Sequence, residues 1–188
     1  ATHTHEGGPV VDWAGNPEGF ARSSHQELIG ELLKTGVMAD REYLHSLSQK
    51  IGSAVALADK HKVEAKCAIG LGKEFTVSFN RRFKMGNGRQ MTHPGKGNPD
   101  ILEPAGPVDP DVGVLSAWGT DGKFLGCVVN FACHGTTGPD GYSADWPHYL
   151  DETIRGAMGQ DATVVFLNGA CGDVTQVDNR TIGPSEFG

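Results

Sequence analysis

Two stretches of this chain, residues 124–132 and 162–167, are apolar almost throughout, and each runs directly into a glycine-rich polar turn. A strand that is apolar on both sides needs cover on both sides, so it belongs inside a sheet. Residues 112–118, also largely apolar, precede the first stretch across Thr120-Asp121-Gly122-Lys123, and Asp-Gly between two such runs is a strong hairpin signal. The expected centre of the fold is therefore a sheet with one antiparallel hairpin and a further buried strand.

Helical signals surround these strands. Ser23 or Ser24 can cap a helix with an apolar face of Leu28, Ile29, Leu32 and Leu33, ended by Gly36. Asp40 can cap a longer one, whose stripe of Leu44, Leu47, Ile51, Ala54, Val55 and Ala58 follows the 3.6-residue period. The period then changes to two: Val63, Ala65, Cys67 and Ile69 alternate, and residues 75–79 give another strand. Residues 84–110 hold five glycines and five prolines, which predicts a long irregular loop. Asp145 caps a last helix with Pro147 in its first turn and Leu150, Ile154 and Met158 on its buried side. The fold class is α/β, a mixed β-sheet with helices packed on its faces, and residues 1–188 read as a single domain.

Composition narrows the function classes. Hydrophobic residues make up 38% and charged residues 21%, as in a folded globular chain. The formal net charge of −7 disfavours a nucleic-acid partner, and the pair Arg81-Arg82 is too short to reverse it. No apolar run approaches the roughly 18 residues of a transmembrane segment. The four cysteines, Cys67, Cys127, Cys133 and Cys171, form no Cys-x-x-Cys pair, and their apolar neighbours predict buried free thiols.

Three constellations could carry chemistry. His3-Thr4-His5 places two imidazoles at i and i+2, which face one way in an extended segment and could address one metal ion; a pair of exposed polar residues is the plainer alternative. His134 follows the apolar strand at once and is succeeded by Gly135, Thr136 and Thr137. Ligand-binding residues concentrate at such strand ends, although a core histidine satisfied by a carbonyl would look the same. Asn168-Gly169-Ala170-Cys171-Gly172-Asp173-Val174-Thr175 is the third, a turn whose small residues allow close approach of a ligand and whose N–H groups could receive an oxyanion. A tight turn without a catalytic role is the alternative there. Cys171 is a candidate nucleophile with nothing adjacent in sequence to activate it.

Taken in order, these segments resemble the catalytic domain of the neutral, non-lysosomal ceramidases. Residues 2–9 resemble that family's Thr-His-Thr-His-Ser-Gly segment, and residues 80–83 its Asn-Arg-Ser-Pro segment. His134-Gly135-Thr136-Thr137 matches a His-Gly-Thr-Ser strand end, Ser143-Ala144-Asp145 is similar to a Ser-Gly-Asp helix start, and Gly172-Asp173-Val174-Thr175 to a Gly-Asp-Val-Ser turn. The resemblance spans nearly the whole chain. It implies Zn2+ held by His3 and His134, with Glu and Tyr ligands supplied by sequence outside this chain. It further implies catalytic roles for His5, Arg81 and Thr175, substrate contacts near Asp145, Gly172 and Asp173, and a small-molecule or lipid substrate whose amide bond is hydrolysed. A secreted or periplasmic location is suggested by the resemblance alone.

Two departures bear on the substrate. Thr175 stands where the family has a serine, with Gln176-Val177 in place of Pro-Asn, and Glu6 replaces a small serine beside the histidines. Threonine keeps the hydroxyl but is stiff at χ1. These changes fit a divergent bacterial-type relative acting on another amide or ester better than a strict ceramidase acting on ceramide-like lipids. A catalytically silent relative that binds a ligand or partner through the same cleft is the alternative.

Overall fold

The computed structural model describes residues 2–10, 27, 39–138 and 141–182. In chain order its elements are α1 (Arg41–Lys60), β1 (Ala65–Lys73), β2 (Phe79–Asn80), β3 (Arg82–Met85), β4 (Gln90–Thr92), β5 (Ile101–Pro104), β6 (Asp111–Gly119), β7 (Phe124–Phe131), α2 (Trp146–Met158), β8 (Thr163–Asn168) and β9 (Val174–Thr175). The chain divides into two compact units, one of residues Ala1–Gly7 with Glu64–Gly188 and one of Gly8–Val63.

In the first unit a mixed sheet runs in the order β1-β6-β7-β8, antiparallel except for the parallel pair β7-β8. The expected hairpin joins β6 to β7. Gly119 N donates to Lys123 O at 2.8 Å, and Gly122 sits at φ +83°, a conformation in which a side chain would be strained. The strand that reads as central is central. Its residues Cys127, Val129 and Phe131 join Phe166 of β8 in the buried cluster, against which Trp146, Leu150 and Ile154 of α2 pack. Met158 is 41% exposed, because the last turn of α2 carries it past this cluster. On the other side of the sheet Ile69, Leu71, Leu115 and Leu167 are exposed.

Three expectations change. Residues 75–78 do not form a strand, and only Phe79 and Asn80 do. The Glu74 carboxylate accepts from both N and Oγ1 of Thr76, and this local turn takes the donors a ladder would need. Residues 84–110 are not irregular throughout, since β3, β4 and β5 build a three-stranded antiparallel sheet in the order β4-β3-β5. Its glycines and prolines are the turns between short strands. Gly88 at φ +78° lets Met85 N reach Arg89 O at 2.8 Å, and Phe83 and Met85 are buried. Third, Cys127, Cys133 and Cys171 are buried free thiols, but Cys67 is exposed on β1, an edge strand exposed along its whole length. Alternation locates a strand without saying which of its faces is covered.

In the second unit α1 begins where predicted, with Asp40 Oδ1 accepting from Glu42 N at 2.8 Å and Tyr43 N at 3.0 Å. No residue of α1 is buried, and Ile51 and Val55 of the predicted stripe are more than half exposed. The helix expected after Ser23 or Ser24 lies outside the described residues, apart from Glu27, which is helical.

Two outcomes follow from this packing. Cys67 should be the one thiol of the four that reacts rapidly in the native chain, since burial pushes the Cys133 thiol up to about 12 and also raises Cys127. Thiol titration should count one fast group in buffer and four in denaturant without reductant. Gly126 of β7 faces Thr163 of β8, where an added Cβ would run into the Thr163 carbonyl oxygen. Gly126→Ala should therefore destabilise the chain by about 3 kcal/mol in urea unfolding, as expected for overpacking a central strand.

Candidate metal centre

Because β7 and β8 are parallel, with Phe131 opposite Asn168, their carboxyl ends lie side by side. His134 and the 168–175 turn, 34 or more residues apart in sequence, therefore emerge at the same edge. Asn168 ties the two ends together. Its Nδ2 donates to Cys133 O at 3.0 Å and to Thr2 O at 3.2 Å. Gly169 N donates to Phe131 O at 2.9 Å, and a Cβ at Gly169 would come within 3.2 Å of the Ala132 backbone, so glycine is needed where the turn crosses β7's end.

The amino-terminal segment is laid across this edge. Thr4 forms a parallel bridge with Gly135, and His5 N donates to Gly135 O at 3.0 Å. A side chain at Gly135 would meet Thr4 Cα at 3.1 Å and His3 O at 3.2 Å, which explains the glycine directly after the histidine. His3 is left-handed, with φ +59°, and residues 5 and 6 turn, so the segment is not simply extended. Its two imidazoles nevertheless converge, with Nε2 of His5 3.4 Å from Nε2 of His3. A non-glycine residue in this conformation is strained by about 1 kcal/mol or more, and such strain gathers at functional sites.

Nε2 of His3 lies 3.2 Å from Nε2 of His134. His134 is buried, and its Nδ1 lies 2.9 Å from the Val174 carbonyl, an acceptor, so Nδ1 carries the proton and donates. Nε2 is thereby left with its lone pair toward His3. Burial holds the His134 pKa below the usual imidazole range, and the Arg81 charge pushes the same way, against the Val174 carbonyl. The ring is thus neutral near pH 7, the form that ligates metals. The thiol of Cys171 completes a group, in that its Sγ and one ring nitrogen each of His3 and His134 all lie within 4.8 Å of one another.

Arg81 reaches the same turn from β2's end. Its Nη2 donates to Gly172 O at 2.7 Å and its backbone N to Asp173 O at 2.8 Å, while its buried Nε has no acceptor among the described residues. Asp173 accepts from Asn80 Nδ2 at 3.0 Å, and a Cβ at Gly172 would face open space. Thr175 is buried and its hydroxyl donates to Gln176 Oε1 at 3.1 Å, while Gln176 Nε2 donates to Thr136 Oγ1 at 2.8 Å. Asp145 is also buried, with both oxygens engaged. It accepts from Thr137 N at 2.9 Å, Thr137 Oγ1 at 2.7 Å and Trp146 N at 2.7 Å. Its backbone, at φ +60° and ψ −161°, is in a region few residues other than glycine occupy, and these three bonds hold it there.

His3, His5 and His134 are therefore brought together, and Arg81, Gly172 and Asp173 form a second group on the neighbouring turn. Thr175 and Asp145 brace the loops that carry them. Sequence reasoning gave no metal role to Cys171, and it missed the supporting parts of Asn168, the Val174 carbonyl and Gln176. Small residues around Cys171 were the one available signal.

No protein-family model matches this chain, and no curated protein matches it by sequence. Solved structures do match in three dimensions. A ceramidase complexed with C2 superposes with a TM-score of 0.56 at 19% identity, over 73% of this chain and 21% of its own. Neutral ceramidase from Pseudomonas aeruginosa gives a TM-score of 0.57 at 17% identity, over 78% of this chain and 23% of its own. This chain thus spans between a fifth and a quarter of the length of those structures. Its described part has their fold at low identity, in agreement with the ordered motifs in its sequence. In fold, the chain is similar to these ceramidase structures.

Proposed function

We propose that this chain is part of the catalytic domain of a zinc-dependent hydrolase that cleaves an amide bond, with the N-acyl linkage of ceramide-like lipids as the substrate class. One observation carries the reading. Nε2 atoms from residues 131 positions apart meet at 3.2 Å, one of them on a buried ring whose other nitrogen is committed to a carbonyl. Two nitrogens bound at about 2.0–2.1 Å to one tetrahedral zinc are separated by about 3.3 Å. The separation of the pair matches that of two nitrogens bound to one ion. The resemblance assigns the Glu and Tyr ligands to sequence outside this chain.

When bound, zinc supplies Lewis acidity toward an amide carbonyl and toward water. The residues of this chain orient and support. His134 is fixed in tautomer and direction by Val174. His5, next to His3, is placed to donate to the substrate carbonyl. Arg81, whose charge acts on His134, would stabilise charge developing on that oxygen. Gly172 leaves room for the substrate beside Asp173, and Asp145 acts on it through the Thr137 loop. A cavity of about 540 Å³ walled by Val77, Val129, Phe131, Trp146 and Leu150, with Thr137 and Gln176 also in its lining, suits a hydrocarbon chain.

The full-length protein should hold about one zinc per chain, and His134→Ala should lose it in elemental analysis. Stoichiometric zinc in that variant would remove His134 from the ligand set. Zinc without turnover of a labelled N-acyl substrate would favour the catalytically silent relative. Thr175→Ser should preserve kcat/KM, since the oxygen that bonds Gln176 is kept. Thr175→Val should lower kcat/KM by roughly two to four orders of magnitude if the hydroxyl takes part in the reaction. An unchanged value on the true substrate would take Thr175 out of the mechanism.

A further inference from the structure

The donor set described above differs from the one the family resemblance implies, because it contains a thiol. Cys171 is buried at the start of a tight turn in which Val174 N donates to Cys171 O at 3.0 Å. The carbonyl of the same Val174 receives both the backbone N of His134 at 3.2 Å and its Nδ1 at 2.9 Å. Cys171 and His134 are thus fixed to one short piece of backbone, and His3 is brought to them by the Thr4–Gly135 bridge. No other group of three or more His, Cys, Asp or Glu donors this close occurs among the described residues.

We propose that Cys171 is a metal ligand of this chain, its thiolate joining Nε2 of His3 and Nε2 of His134 around a single zinc ion. The inference rests on the zinc reading above and deepens it by naming a third ligand. At zinc–sulfur and zinc–nitrogen bonds of about 2.3 and 2.0 Å, the sulfur of a tetrahedral site stands about 3.6 Å from each nitrogen. The present limit of 4.8 Å lies about 1.2 Å beyond that separation, so binding draws Sγ inward by a χ1 rotation of some tens of degrees. Binding replaces the S–H bond by a zinc–sulfur bond and releases one proton to solvent. Three ligands from this chain leave one tetrahedral position, so no more than one of the Glu and Tyr ligands that the resemblance implies binds the same ion.

The test uses cobalt(II) in place of zinc in the full-length protein. Wild type should show an intense near-ultraviolet thiolate-to-cobalt absorption, retained by Cys133→Ser and lost in Cys171→Ser. Zinc should slow the alkylation of Cys171 further below its rate in the metal-free wild type, already slow through burial, in peptide mapping that needs no variant to fold. Cys171→Ser should weaken zinc binding by more than the roughly 10–100-fold that losing a supporting group costs. Full zinc content with no thiolate absorption and unprotected Cys171 would overturn the thiolate while leaving the two-histidine reading intact. A wild type that takes up neither metal would overturn both.

Discussion

The parallel pairing of β7 with β8 is the constraint on which the remaining geometry depends. Parallel neighbours point their carboxyl ends to the same edge, so the residues just past each strand become neighbours whatever their separation in the chain. Here that places His134 beside the turn carrying Cys171, Asp173 and Thr175. An antiparallel pair would have sent the two ends to opposite edges. The core that holds the pair is ordinary in chemistry, with Val129, Phe131 and Phe166 packed under Trp146, whose ring centroid lies 4.6 Å from that of Phe166.

On that platform the fine positioning falls to backbone carbonyls and small residues. Val174 O fixes the His134 ring, Gly135 admits the amino-terminal segment, and Asn168 bonds to both Thr2 and Cys133. Among the described residues three that are not glycine have positive φ: His3 within the donor cluster, Asp145 at the helix start behind it, and His93 in the turn after β4. Asp145 is kept in place by three hydrogen bonds to its carboxylate. Backbone strain of this kind concentrates at functional sites.

Much of this was legible in advance, and the parts that were not share a cause. The buried strands, the Asp-Gly hairpin and the Asp40 and Asp145 caps are local events, decided by side chains within a few residues of one another. The 84–110 segment was misread because its glycines and prolines mark turns without revealing the short strands between them, and β3 has value only through its pairing with β4 and β5. Cys67 was misplaced for the same reason, since alternation in β1 says nothing about cover.

The sequence by itself determined which residues could ligate or catalyse, because imidazole, thiol and guanidinium chemistry belongs to the side chain wherever it stands. It also determined the strands that deliver them, through runs of apolar residues that must be buried. Only the tertiary structure decided which of those groups meet. His3 and His134 approach to 3.2 Å across 131 positions, and Cys171 joins them rather than standing alone. Such convergence depends on strand direction, on the register of β7 against β8 and on two glycines that let backbones touch. These are non-local pairings, and no short window of sequence contains them.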